Sequence, residues 1–176
     1  PAYRLGGTVA VVRGNVLLLG LLALVVARLT RRLTGDPLSG ACAAWATLLA
    51  TPVSALASDT SPYTVMITAV AGAVDFAVAS LGPLGARLSP RASRRYAAAA
   101  GLLAGVAVGS QPLGFPTMAP LLASLFVIRS EADEALTSGV YPSWLPTRAS
   151  ITRGLYGLAG ALAVLGPVGA LNRVRF

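Results

Sequence analysis

VAGAVDFAVASLGPLGARLSPRASRRYAAAAGLLAGVAVG, residues 70–109, decides the fold. One carboxylate, Asp75, sits in an apolar run; Arg87, Arg91, Arg94 and Arg95 follow, and then Gly101, Gly105 and Gly109 at intervals of four. Apolar, basic, then apolar and small is the pattern of two membrane helices joined by a short basic loop. An ionised carboxylate at the centre of a bilayer costs at least about 2.5 to 3.5 kcal/mol on insertion scales, so such a group needs a polar partner or a water-filled cavity. Asp75 is twelve residues from Tyr63 and twelve from Arg87, which places it near mid-span and makes an intramembrane polar contact its expected role. The candidate partners are Thr47 and Thr51 in the preceding span, Ser110 and Gln111 in the following one, or an arginine of another subunit. A proton-relay acid would come with further buried acids, lysine or histidine. None is evident, so a structural or inter-subunit contact is favoured.

The glycines have their own logic. Lipid tails are as apolar as leucine, so membrane helices associate by close packing, and small residues four apart let two backbones approach. Gly101, Gly105 and Gly109 share a helical face, and Gly157 and Gly160 begin a second small-residue strip near the C-terminus. All five are expected at helix-packing contacts rather than around a conducting pore.

Composition agrees with a membrane protein. Of the 176 residues 55% are hydrophobic and 11% charged, whereas a soluble domain is about a quarter charged. The fourteen basic residues are all arginine, opposed by six acids. They cluster between apolar runs rather than along a polar helix, which points to membrane topology and away from nucleic acid. There is no histidine, and Cys42 is the one cysteine. Zinc, haem and iron–sulfur ligand sets therefore cannot be assembled from this chain's own histidines and cysteines. An intrachain disulfide is excluded as well. No nucleophile stands with a base: "SDTSPYT", residues 58–64, holds hydroxyls and Asp59 but reads as a turn before a helix. The expectation is a protein that is not an enzyme, with no catalytic residues, no metal and no cofactor other than bound cardiolipin or another phospholipid.

An all-α membrane fold of about five transmembrane helices, with four to six compatible, follows from the apolar runs. They cover roughly Val9 to Leu29, Leu38 to Ala57, Tyr63 to Leu84, Tyr96 to Ile128 and Ile151 to Leu171. The first is followed by arginines rather than a small-residue cleavage site, so a retained span is expected. The fourth is too long for one span of about 20 residues. Pro112, Gly114, Pro116 and Pro120 must break it into a glycine-rich helix ending near Ser110 and a shorter one from Met118 to Ile128. Residues 129–153 form an exposed connection with three acids and Trp144, and the whole chain, 1–176, reads as one membrane domain. With five spans, nine arginines share one side, including Arg28, Arg31, Arg32, the Arg87 to Arg95 cluster, Arg173 and Arg175. The positive-inside rule then puts the C-terminus inside and the N-terminus outside. A second crossing within 96–128 would reverse everything after residue 110.

The order "AVDFAV", a basic loop, then "YAAAAGLLAGVAVG" resembles the third and fourth spans of the mitochondrial inner-membrane translocase channel family, which includes an accessory subunit of respiratory complex I. In that family an acid often lies in the third span, the next loop is basic and faces the matrix, and the fourth span opens with a small-residue pattern. The matching positions are Asp75, the Arg87 to Arg95 cluster, Gly101 and Gly105, about 40 residues in all. The Leu-rich first span and the apparent fifth span depart from the family's pattern, and the chain has little polar lining for a protein-conducting groove. What the resemblance implies is therefore the accessory-subunit branch: a non-catalytic subunit of a larger inner-membrane complex of the respiratory chain, complex I or a supercomplex, partnered by other subunits and anionic lipids. The alternatives are a component of a protein translocase, a small-solute transporter, or a bacterial plasma-membrane protein. For Arg87, Arg91, Arg94 and Arg95 two roles stand level: holding lipid headgroups, or fixing topology alone.

Overall fold

The computed structural model describes residues 2–56, 58, 62–82, 88–111, 113–128 and 146–175, all of them helical or in connections between helices. The helices are α1 (Ala2–Thr34), α2 (Pro37–Leu49), α3 (Thr51–Ala55), α4 (Tyr63–Leu81), α5 (Pro90–Ser110), α6 (Gly114–Val127) and α7 (Arg148–Arg175). Three of them, α1, α4 and α7, contain stretches long and apolar enough to cross a membrane.

Local chemistry sets the helix ends. Helix α1 stops at Gly35, which adopts a left-handed φ of 75°. Asp36 then caps α2, its carboxylate accepting from the amides of Leu38 (3.0 Å) and Ser39 (2.8 Å), with Pro37 in the first turn. That is the signature of a helix start. Helix α4 ends on Gly82, left-handed at φ 70°, a conformation glycine adopts without a Cβ penalty. Ser89 caps α5 by accepting from the Ala92 amide at 3.2 Å, and Pro90 follows. Gln111, extended at φ −150°, closes α5 just before Pro112, as a residue preceding proline tends to do.

Contacts between helices fix their directions. Gly40 on α2 lies against the Ala27 carbonyl of α1, so α2 folds back along α1. Asn15 then meets the Leu56 carbonyl beyond α3 (3.2 Å), and Thr68 of α4 donates to the Leu18 carbonyl (3.3 Å). Helices α1 and α4 therefore run parallel, side by side. Helix α4 pairs antiparallel with α5: Ser80 meets Ser93, Phe76 meets Tyr96, and Ala69 and Ala73 pack with Ala104 and Ala107. Met118 and Leu125 of α6 pack beside Ala104 and Ala107, and beside Ala97 and Ala100, in that order. Helix α6 therefore returns along α5. Helix α7 reverses again, with Gly157 against Gly101 and Ala161 against Gly105, which makes α7 parallel to α5.

The all-helical fold agrees with expectation, but a count of about five spans is not confirmed: three helices are long and apolar enough to cross, and α6 turns back along α5. The run from 96 to 128 doubles back between α5 and α6, so Ile128 lies beside Arg153 at the same end as the start of α5. Arg148 and Arg153 consequently join Arg28, Arg31, Arg32, Arg91, Arg94 and Arg95 at one basic end, while the last turn of α7, with Arg173 and Arg175, sits at the opposite end. The start of α1 and the end of α7 therefore lie at the same end of the bundle, opposite the basic end. Residues 148–153, expected in an exposed connection, are the first turns of α7. The rest of that connection to 145, with Trp144, and Arg87 in the basic loop lie outside the described residues.

No internal repeat is visible in the sequence, yet the helices fall into two units. Helices α1, α2 (continued by α3) and α4 form a long–short–long set, and α5, α6 and α7 form another. In each set the outer two helices are parallel neighbours. Because each set makes three passes, the second set runs in the opposite sense to the first.

Candidate functional site

Asp75 is the centre of the most concentrated chemistry in the described residues. It occupies the same α4 face as Thr64 and Thr68, the face turned to α1, and it is 1% exposed. Its Oδ2 lies 2.9 Å from Arg28 Nε and its Oδ1 3.0 Å from Arg32 Nε. The two arginines are four apart on α1 and therefore share one helical face. Oδ1 makes no aligned hydrogen bond, so its contact with Arg32 is a charge pair without directional donation. Aromatic rings back both guanidinium groups. Arg28 lies over Phe76 (5.0 Å to the centroid), Arg32 over Tyr96 (5.9 Å), and the two rings stack with centroids 6.1 Å apart. Such cation–π contacts hold a long side chain in place where the pairing alone would leave it mobile.

The expected partners of Asp75 are corrected accordingly. Thr47 donates to the Ala43 carbonyl and Ser110 to the Val106 carbonyl, both within their own helices. Gln111 caps α5 at the far end, and the Thr51 side chain lies outside the described ones. The arginines come from this chain's own α1, not from another subunit. The depth of Asp75 is corrected too. Helix α4 ends at Leu81, so the carboxylate lies six residues, about 9 Å, from the helix end. The apolar sequence running on to Leu84 had made the span look longer on that side than the helix is. At this depth Arg28 and Arg32, near the end of α1, reach the acid from the basic end of the bundle.

The glycines are distributed by how close two backbones come. A Cβ on Gly101 would strike the Gly157 carbonyl, one on Gly160 the Ala98 carbonyl, and one on Gly105 would come within 2.8 Å of the Ala161 carbonyl. A Cβ on Gly157 would sit 2.7 Å from a Leu125 methyl. Gly109 differs: its nearest neighbour, Val168 Cγ2, is at an ordinary 3.9 Å. Sequence reading missed Gly40, Gly72, Gly114 and Gly154, which also stand at close contacts. It missed Phe76 and Tyr96 as well, whose only signal was an aromatic on each side of the basic loop.

Of the remaining lipid or topology candidates, Arg91, Arg94 and Arg95 are exposed on the first two turns of α5, and Arg94 lies over the Tyr156 ring of α7 (5.9 Å). Arg153 reaches back to donate to the Ile128 carbonyl at 2.7 Å, closing the gap between α6 and α7. The described residues hold no group of three histidine, cysteine, aspartate or glutamate side chains placed to bind a metal. A carboxylate between two guanidinium groups, backed by rings, can tie helices together and leave one positive charge over.

Comparison with protein-family models, with curated proteins and with solved structures returns no match.

Proposed function

We propose that this chain is a non-catalytic accessory subunit of a larger membrane complex, packing between neighbouring subunits and lipid. The observation that carries the reading is the inversion of side-chain size. The core between α4, α5, α6 and α7 is mostly alanine and glycine, with Ala73, Ala97, Ala100 and Ala107 fully buried. The large apolar side chains face outward, including Leu17 (76% exposed), Leu24 (68%), Trp45 (65%) and Leu49 (75%). Two of the buried hydroxyls are spent within their own turn, Ser80 on the Ala77 carbonyl and Ser150 on the Thr147 carbonyl, and two reach outside their helix, Thr64 to the Leu56 carbonyl and Thr68 to the Leu18 carbonyl. A bundle so built has its binding capacity on the outside. The resemblance of residues 70–110 to the translocase channel family and its complex I branch directs the proposal to a respiratory-chain complex of the mitochondrial inner membrane, with a bacterial plasma membrane as the other setting. The test is gentle detergent extraction of the native membrane, native-gel separation and mass spectrometry of what comigrates. Comigration with respiratory subunits supports the reading, and migration alone overturns it.

One observation favours transport as the second reading. Two three-pass units of opposite sense are the arrangement on which many transporters are built, and Asn15, Thr64, Thr68 and Asp75 line the contact between α1 and α4. A proton leak in proteoliposomes that disappears in Asp75→Asn would support it. A leak unchanged by that substitution, or none at all, would exclude this route.

A further inference from the structure

The basic end carries more charge than the fold uses. Arg28, Arg31, Arg91, Arg94, Arg95 and Arg148 are exposed there. Among the described residues two carboxylates share this end, and both are engaged, Asp36 in capping α2 and Asp75 with Arg28 and Arg32. By sequence alone, the connections that adjoin this end carry two further arginines, Arg87 and Arg129, and three acids, Glu131, Asp133 and Glu134. Part of this charge is also placed against the helix dipoles. Helices α5 and α7 are parallel and both begin here, with Arg91, Arg94, Arg95 and Arg148 in their first two turns. Arg91 and Arg148 stand in the first turns, where a cation adds to the positive end of the helix dipole and a nearby anion is favourable. The rim also borders apolar surface. Arg94 lies over the ring of Tyr156, itself 45% exposed, and Leu155, its neighbour in sequence, and Ile151, one turn before Leu155, are exposed on α7. Guanidinium groups beside an exposed tyrosine and aliphatic side chains match the headgroup layer of a bilayer, where phosphate meets acyl chain. A soluble acidic partner would leave the apolar border uncovered.

We propose that Arg91, Arg94, Arg95 and Arg148, with Tyr156, form a docking rim for anionic phospholipid headgroups at the joint start of α5 and α7. The inference rests on the membrane-subunit reading above and gives that reading a partner. Arg28 and Arg32 are left to Asp75.

The test uses the full chain purified in neutral detergent, where insertion direction has no influence. Thermal unfolding is followed on titration with mixed micelles containing phosphatidylglycerol, phosphatidylcholine or, separately, inorganic phosphate. Phosphatidylglycerol is expected to raise the unfolding temperature at low concentration, with phosphatidylcholine and inorganic phosphate having little effect. Each arginine near an anionic surface contributes about a fivefold gain in binding. The triple variant R91Q/R94Q/R95Q is therefore expected to need roughly a hundredfold more phosphatidylglycerol for the same shift. The control R4Q/R13Q, at the opposite end, is expected to behave as the parent, and R91K/R94K/R95K to retain most of the response. Equal shifts from both lipids, or a triple variant that responds like the parent, overturn the proposal. A full shift from inorganic phosphate alone also overturns it, because the site would then be one for free phosphate. If the triple variant has lost helical content, R94Q and R148Q singly replace it, each expected to need about fivefold more lipid. An unchanged response in both would overturn the proposal in the same way. Migration alone on a native gel would remove the accessory-subunit reading and leave this result standing.

Discussion

At the scale of single residues, the Arg28–Asp75–Arg32 cluster makes the sharpest demands. Removing one partner of a buried pair strands the other, which costs several kcal/mol, whereas removing the whole set can be nearly neutral. Asp75→Ala is expected to destabilise the chain by roughly 3 kcal/mol, the low end of that range because Arg28 keeps 46% of its side chain in solvent. Arg32→Gln should cost more than Arg28→Gln, since the Arg32 side chain is 24% exposed. The triple variant R28A/R32A/D75A should be more stable than D75A alone, a non-additivity measurable by unfolding in mixed micelles. Asp36 gives a pH prediction. The Ser39 hydroxyl, then the Ser39 and Leu38 amides, hold its carboxyl below the usual carboxylate value. Its contribution is therefore complete above the unfolded value of about 4 and is lost as pH falls through the lower folded value. The α1–α2 turn should loosen in acid only below about pH 4, and Asp36→Ala should abolish that step, as followed by hydrogen exchange at residues 38 and 39. Asp75's need for a partner was legible from its apolar neighbours. Which partner it takes was not, because Arg28 lies far away in sequence and the left-handed Gly82, not the end of the apolar run, sets the depth.

At the scale of elements, the α5–α7 contact is where glycine is indispensable, and the positions divide sharply. Gly101→Ala pushes a methyl into the Gly157 carbonyl, a backbone atom that cannot step aside. Overpacking of this kind costs about 1 to 3 kcal/mol. Gly109→Ala meets ordinary contact distance and is expected to be neutral or stabilising by up to about 1 kcal/mol, since alanine is the better helix former. Thermal unfolding of the two variants side by side checks the contrast, and equal losses would contradict the packing described. The regular spacing at 101, 105 and 109 shows a face, but the crossing of α7 decides which members of the face are touched. The start of α2 was legible, because "GDP" carries a capping side chain followed by proline in the first turn; "LSP" carries the same signal for α5, but residues 87–95 read as a basic loop with the apolar run starting at Tyr96. The return of α6 was not legible. Its apolar run joins that of α5 in sequence, and proline marks a break without giving its direction.

At the scale of the whole molecule, charge and direction meet. The alternating helices gather eight arginines of the described residues at one end and leave Arg4, Arg13, Arg173 and Arg175 at or toward the other. Helices α2, of 13 residues, and α6, of 14, extend about 20 Å. Each is shorter than the hydrocarbon layer of about 30 Å. Neither is long enough to cross it alone, in contrast to α1, α4 and α7. That the fold is all-helical and built on apolar helices was legible from composition alone. The reversal of the C-terminal half was not, since it depends on the direction α6 takes after α5. The most direct measurement is cysteine accessibility in intact vesicles, in a Cys42→Ser background, with single cysteines placed at 89, 113 and 147. The account predicts that 89 and 147 react from one face of the membrane and 113 from the other. Labelling of 113 and 147 from the same face would contradict it.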